Sequence, residues 1–149
     1  MKKTCIILAV LLTASFAISC KTIGGGASGD YDRAFNQVYG RYKTGLNLDG
    51  AKTYTVVSGD TLVKITRSQY GADNGFYFPV IMLASSETVA DPDKIAPGMK
   101  LTVPSLDKNL NDPLARLNIK TFLKDVANVY KDKGDSKTEQ GLKDLSASL

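Results

Sequence analysis

The residues best placed to do chemistry lie in the stretch YTVVSGDTLVKI, Tyr54 to Ile65. An alternating, strand-like run stops at Ser58-Gly59-Asp60-Thr61, and a helical pattern begins at once. Such a junction brings to the surface the first-turn N–H groups of a helix, which have no partner inside it. Asp60 or Thr61 is suited to cap some of them, and Gly59 allows a tight turn and close backbone approach. The chemistry on offer is binding by backbone donors and acceptors. A second group is Asp91 and Asp93. Two carboxylates two apart could face a cation, but the spacing does not continue into a calcium loop. Asp91 before Pro92 reads better as a cap or turn. Glycoside hydrolysis would need two convergent carboxylates flanking a cleft, and only the presence of acids speaks for it. With no His in the chain, a Ser/His/Asp triad, a Cys/His pair and imidazole metal ligands are excluded. No catalytic residue, metal site or cofactor is expected, and the chain reads as a non-enzyme.

The thiols are the remaining reactive groups. Cys5 lies in an N-terminal segment with Lys2 and Lys3 ahead of an apolar run from Ile6 to Ile18. That run has the length of a secretory h-region and falls short of the ~20 residues a spanning helix needs. It ends in Ala17-Ile18-Ser19-Cys20, which resembles a bacterial lipobox with Ala17 in place of the usual Leu. The resemblance implies cleavage before Cys20 and lipidation of its sulfur, so that Cys20 anchors the chain on a membrane from outside the cytoplasm. Two or more acyl chains anchor stably, at ~0.8 kcal/mol per buried CH₂. Lys21 does not match the inner-membrane retention signal of enterobacteria, which favours an outer membrane where the source has two. After loss of residues 1–19 the side chains number 17 basic against 15 acidic, a balance of +2. That is too slight for nucleic acid, which takes a clustered basic face.

The elements that must position the junction follow from periodicity. Residues 20–29, rich in Gly, form a flexible tether; without a preceding strand or a GK[ST] ending they do not form a phosphate cradle. Residues 30–53 give a helix and linker: Tyr31, Phe35, Val38, Tyr39 and Tyr42 make one aromatic stripe, with Asp30 as N-cap. The stripe is read as packing against a neighbouring element. In the centre, Tyr54–Val57 is a short strand, and Leu62, Ile65, Thr66, Gln69 and Tyr70 mark a helix closed by a left-handed Gly71. Phe76, Tyr77 and Phe78 fall in a partly exposed loop, and Pro79 opens a second helix. Pro97-Gly98 suits a type II turn, and Lys100–Val103 is the closing strand. Residues 105–149 are a helical extension. Asp112-Pro113 starts a helix whose apolar face is Leu114, Leu117, Phe122, Val126, Val129 and Tyr130, ended by Gly134, and Ser136 with Glu139 forms a capping box for a tail helix.

The opening motif, the helix ending in Tyr70-Gly71 and the stretch DPDKIAPGMKLTVP together resemble a LysM domain over residues 54–104. The long form containing DPDKI is similar to the module of bacterial potassium-binding LysM proteins. The resemblance implies an α+β class with a βααβ LysM fold, here with additional flanking α-helices. It also implies non-covalent binding of N-acetylglucosamine units of peptidoglycan or chitin, in a groove between the Gly59, Asp60, Thr61, Leu62 loop and the loop after the second helix, with Ser85, Ser86 and Ile95. An N-acetyl sugar offers a carbonyl acceptor, an N–H donor and a methyl, which suit backbone groups and a small apolar floor without any charge. Ser85 stands where many relatives have Asn, and Val63 where they carry a larger or polar residue, so Tyr77 or Phe76 is an alternative stacking surface.

A two-stranded unit of this size is near the limit for a lone core, so the helices on either side are expected to pack on it as one body. The expected function is that of a membrane-anchored lipoprotein of the cell envelope, on the periplasmic face or outer membrane, tethering membrane to cell wall through peptidoglycan glycan strands. The alternative is a LysM scaffold without sugar affinity that serves as an envelope protein–protein interaction or oligomerisation module, including a homodimer. Nucleic acid is not an expected partner.

Overall fold

The computed structural model describes residues 28–149; the signal segment 1–19, Cys20 and the tether to residue 27 lie outside them. The first helix, α1, spans Ser28–Tyr42. It starts before Asp30, which lies inside the helix. Strands β1 (Lys52–Thr55) and β2 (Lys100–Val103) pair antiparallel, with Lys52 opposite Val103 and Tyr54 opposite Leu101. The sequence places the first strand two residues later. The reason for the difference is the side chain of Asp60, which takes the Val57 amide at 2.9 Å and turns the chain there. Val56 still pairs: its amide donates to Met99 O at 2.9 Å and its carbonyl accepts from Gly98 at 2.8 Å.

Helix α2 covers Leu62–Tyr70, and α3 covers Phe78–Ala84 behind a 3₁₀ turn at Gly75–Tyr77. Two helices between paired strands give the expected βααβ unit. Gly71 closes α2 with the expected positive φ of 103°, though its ψ of 155° places it outside the left-handed helical well. The aromatic loop is also not a partly exposed loop. Tyr77 and Phe78 are buried, and Phe76 is half-buried under the tail helix α6 (Ser136–Ser148). A Cβ on Gly141 of α6 would overlap the Phe76 ring, so the absence of a side chain at that position lets the helix close over the ring.

A short helix α4 (Leu106–Asn111) leads into α5 (Pro113–Lys133). Asp112 caps α5, accepting from Leu114 and Ala115 at 2.8 and 3.1 Å, and Gly134 ends it in the left-handed region. Its buried face runs through Ala115, Ile119, Phe122, Leu123, Val126 and Tyr130. Leu114 and Leu117 are 80% and 59% exposed; in the first turns of α5 the inward positions belong to Ala115 and Ile119. Helix α6 is capped by Asp135, which accepts from the Thr138 amide at 3.0 Å. Ser136 is the first helical residue, and Glu139 pairs with Lys143 at 2.6 Å, so the expected capping box does not form.

The aromatic stripe of α1 packs on α5. Phe35 meets Tyr130 at 5.7 Å between ring centroids, and Tyr39 and Tyr42 lie 6.3 and 5.6 Å from Phe122. Phe78 of α3 meets Tyr130 edge-on at 5.9 Å, which fuses the flanking helices to the βααβ unit in one hydrophobic core. Each such ring, fully buried, contributes roughly 1.5–3 kcal/mol.

A polar latch completes the joint. Asp91, 4% exposed, caps the 3₁₀ turn Pro92–Lys94 by accepting from Asp93 N at 3.0 Å. The Lys133 ammonium stands 3.6 Å from Asp91 and 2.8 Å from Asp93, and Lys94 reaches both Asp91 (3.9 Å) and Asp32 of α1 (2.7 Å). The rings of Tyr31, Phe35 and Tyr130 surround Lys133 with centroids 5.2, 5.7 and 5.4 Å from its nitrogen, within cation–π range.

Burial works to lower the pKa of Lys133, but the hydrogen bond and charge of Asp93, backed by Asp91, more than offset it and raise the ammonium above its ordinary value. Burial likewise raises the hydroxyls of Tyr39, Tyr70 and Tyr130 above the ordinary value of 10.0. For groups raised in the fold, the stabilisation is complete below the unfolded pKa and is lost as pH rises through the folded one. The melting temperature should therefore stay level from about pH 6 to 9, where no His titrates, and fall progressively above about pH 10. Thermal denaturation followed by circular dichroism checks this; a transition near neutrality would contradict it.

Candidate glycan-binding site

The junction is assembled by short-range chemistry. Val57 to Asp60 form a turn closed by Asp60 N to Val57 O at 3.2 Å, and Gly59 at its third position has φ 86°. That conformation costs an L-residue about 1–2 kcal/mol, which explains the glycine. Asp60 does not cap the helix. Its Oδ2 accepts from the Val57 amide and from the Tyr54 hydroxyl, both at 2.9 Å, and this hydrogen bond raises the Tyr54 pKa. Thr61 is the N-cap, accepting from Lys64 N at 3.2 Å. Lys64 in turn donates its ammonium to Gly59 O at 2.9 Å. The amides of Leu62 and Val63 are left without a protein partner among the described residues.

Facing this turn is the return from α3. Ala96 to Met99 form the expected turn, closed by Met99 N to Ala96 O at 3.1 Å with Gly98 at φ 90°. Because Val56 pairs with Gly98 and Met99, the two turns stand side by side. Val57, Ser58, Gly59, Thr61, Ala96, Pro97 and Gly98 are all exposed, and Val57 is a 57% exposed hydrophobic residue.

The expected site residues take different places in the structure. Gly59 and Thr61 are exposed on the junction, and Ile95 and Ser86 are half-buried on the return. Leu62 is 3% exposed and belongs to the core. Asp60 is half-buried and committed to the turn. Ser85 is buried, with its hydroxyl accepting from Thr102 N at 2.8 Å and donating to Thr102 O at 3.3 Å. It fastens α3 to the middle of β2, away from the junction. Tyr77 is buried and Phe76 is half-buried under α6, on a side of the domain away from the turns of the junction. Val57, Ala96 and Pro97 are not among the site residues that the sequence suggests. The apolar Val57 beside the Pro97-Gly98 turn was the available signal, and it needs the strand register to be seen.

Asp91 and Asp93 face the ammonium groups of Lys133 and Lys94, so their oxygens already hold internal cations. Among the described residues no group of three or more His, Cys, Asp or Glu is arranged to hold a metal.

Comparison with known proteins agrees with this architecture. The family model of the LysM domain matches residues 54–104. The potassium binding protein Kbp of Escherichia coli O6:H1 is 39% identical over 62 residues, which cover 42% of this chain and 40% of Kbp. The chain thus spans less than half the length of that relative in the match. No solved structure matches. Two strands closing around two helices, with a capped turn at the entry to the first, make residues 54–104 of this chain a LysM domain.

Proposed function

We propose that this chain binds N-acetylglucosamine-containing glycan of peptidoglycan, non-covalently, at the junction of its LysM domain, and that a lipid on Cys20 holds it in the cell envelope, tethering membrane to wall. LysM domains are typically modules for such glycans. The observation that carries the reading is the open junction. Helices α1, α5 and α6 pack on the 3₁₀ turn, on α3 and on each other, while the two turns at the junction stay exposed and the Leu62 and Val63 amides at the head of α2 have no protein partner among the described residues. Those amides suit the acetamido carbonyl, and Val57 with Pro97 gives its methyl an apolar rim. Potassium binding is recorded in the name of Kbp for that protein; in this chain the buried Asp91 already faces the ammonium groups of Lys94 and Lys133. A covered junction would have favoured the interaction-module reading.

The test is retention of the chain on insoluble peptidoglycan, with Gly59→Ala and Gly59→Arg beside it. Both variants carry the same positive-φ strain, ~1–2 kcal/mol, but only Arg fills the groove. Wild type and Gly59→Ala should be retained, and a folded Gly59→Arg should bind at least about tenfold more weakly. Equal retention of all three would sink the junction as the site.

The anchor is tested separately. Cys20→Ser should move the chain from the membrane fraction to the soluble fraction and abolish incorporation of labelled fatty acid. An unchanged distribution would contradict lipidation.

A further inference from the structure

A cleft of about 370 Å³ lies at the opposite end of α2 from the junction. Its walls are the end of α2, the start of β1, the end of β2 and the flanking helix α4. Lys52, Lys108, Asp107, Gln69, Asn74 and Tyr70 line it. The walls are fixed by hydrogen bonds that leave the lysines free. The Tyr70 hydroxyl donates to Pro104 O at 2.9 Å, and Asn74 Nδ2 donates to Tyr70 O at 2.6 Å. On the α4 side, the buried Asn109 donates to Ser105 O and Asn47 O at 2.9 and 2.8 Å and accepts from Asn47 N at 2.9 Å. The cleft is therefore a joint product of the LysM domain and the segments flanking it.

Its charge is unbalanced. Lys52 and Lys108 are exposed and form no ion pair among the described residues. The Lys108 ammonium leans over Gly50, 3.4 Å from where a Cβ would stand. Two ammonium groups against the one carboxylate of Asp107, with the Gln69 amide beside them, suit a carboxylate. The ring of Tyr70 and the side chains of Pro104 and Leu106 line an apolar wall for a small side chain.

We propose that this cleft binds a carboxylate of the short acidic peptides carried by peptidoglycan sugars, so that one wall polymer is held at two points. The inference rests on the glycan reading of the junction. The geometry allows it: the nine residues of α2 separate the two sites by ~13 Å, and a four-residue extended peptide reaches ~13 Å. A second weak contact on the same polymer raises affinity through effective concentration.

The experiment measures binding of the full chain in mild detergent, native and as the double variant Lys52→Gln/Lys108→Gln. The probes are peptide-bearing glycan strands, strands stripped of peptide by an amidase, the released acidic tetrapeptide, and inorganic phosphate. The native chain should prefer peptide-bearing over stripped strands by about fivefold or more. The double variant should lose that preference and keep its affinity for stripped strands. The tetrapeptide, and not phosphate at equal concentration, should shift the amide resonances of the cleft. Equal affinity of the native chain for both kinds of strand, or stronger shifts with phosphate, would overturn the proposal while leaving the junction reading intact. Binding of the tetrapeptide and of peptide-bearing strands, with none of stripped strands, would sink the junction reading and uphold the cleft as a peptide site.

Discussion

Asp91 carries a charge at a place where water cannot solvate it, and the arrangement of everything around it follows from that. A buried, unpaired carboxylate costs several kcal/mol, so partners must be held close. They come from both sides: Lys133 from the end of α5, and Lys94 from the turn that Asp91 itself caps. Lys133 is held in turn by Asp93 and by the rings of Tyr31, Phe35 and Tyr130, and Lys94 by Asp32. One carboxylate thus fixes the return loop against α1 and α5 together. Because the same loop runs on to Gly98 and Met99, which pair with Val56, the placement of the Pro97-Gly98 turn depends on helices outside the LysM domain.

Within the domain, folding and binding divide the residues between them. Asp60, Thr61, Leu62 and Ser85 spend their side chains on the turn, the cap, the core and the α3–β2 tie. What remains for a ligand is backbone: the amides at the head of α2 and the exposed edges of two adjacent turns. Such a surface suits a neutral, acetamido-bearing sugar better than an ion or a reacting group.

Features with a local cause were legible in the sequence. Asp112 before Pro113, the Pro97-Gly98 turn, the strand at Lys100–Val103 and the aromatic stripe of α1 all appear where residue type and spacing put them. Features set by distant partners were not. Leu114 and Leu117 share the spacing of the buried face of α5, and only the positions of Ala115 and Ile119 in the fold decide which side is inward. Phe76 and Tyr77 looked like an exposed loop because α6, more than sixty residues later, is what covers them. The latch at Asp91 joins residues 40 or more positions apart, and no local pattern announces it. The assignment of Ser85 to the groove failed for the same reason: its partner is Thr102, across the fold.

The dependence of the return loop on Lys133 is most directly tested by amide hydrogen exchange on Lys133→Met beside the native chain. Methionine keeps much of the stem's packing and removes the ammonium. The account predicts faster exchange confined first to the loop, at Asp93, Lys94 and Gly98, whose amides are bonded to Asp91 and Val56, while the amides shared by β1 and β2 keep their protection. Unchanged exchange in the loop, or a uniform rise across the whole chain, would contradict it.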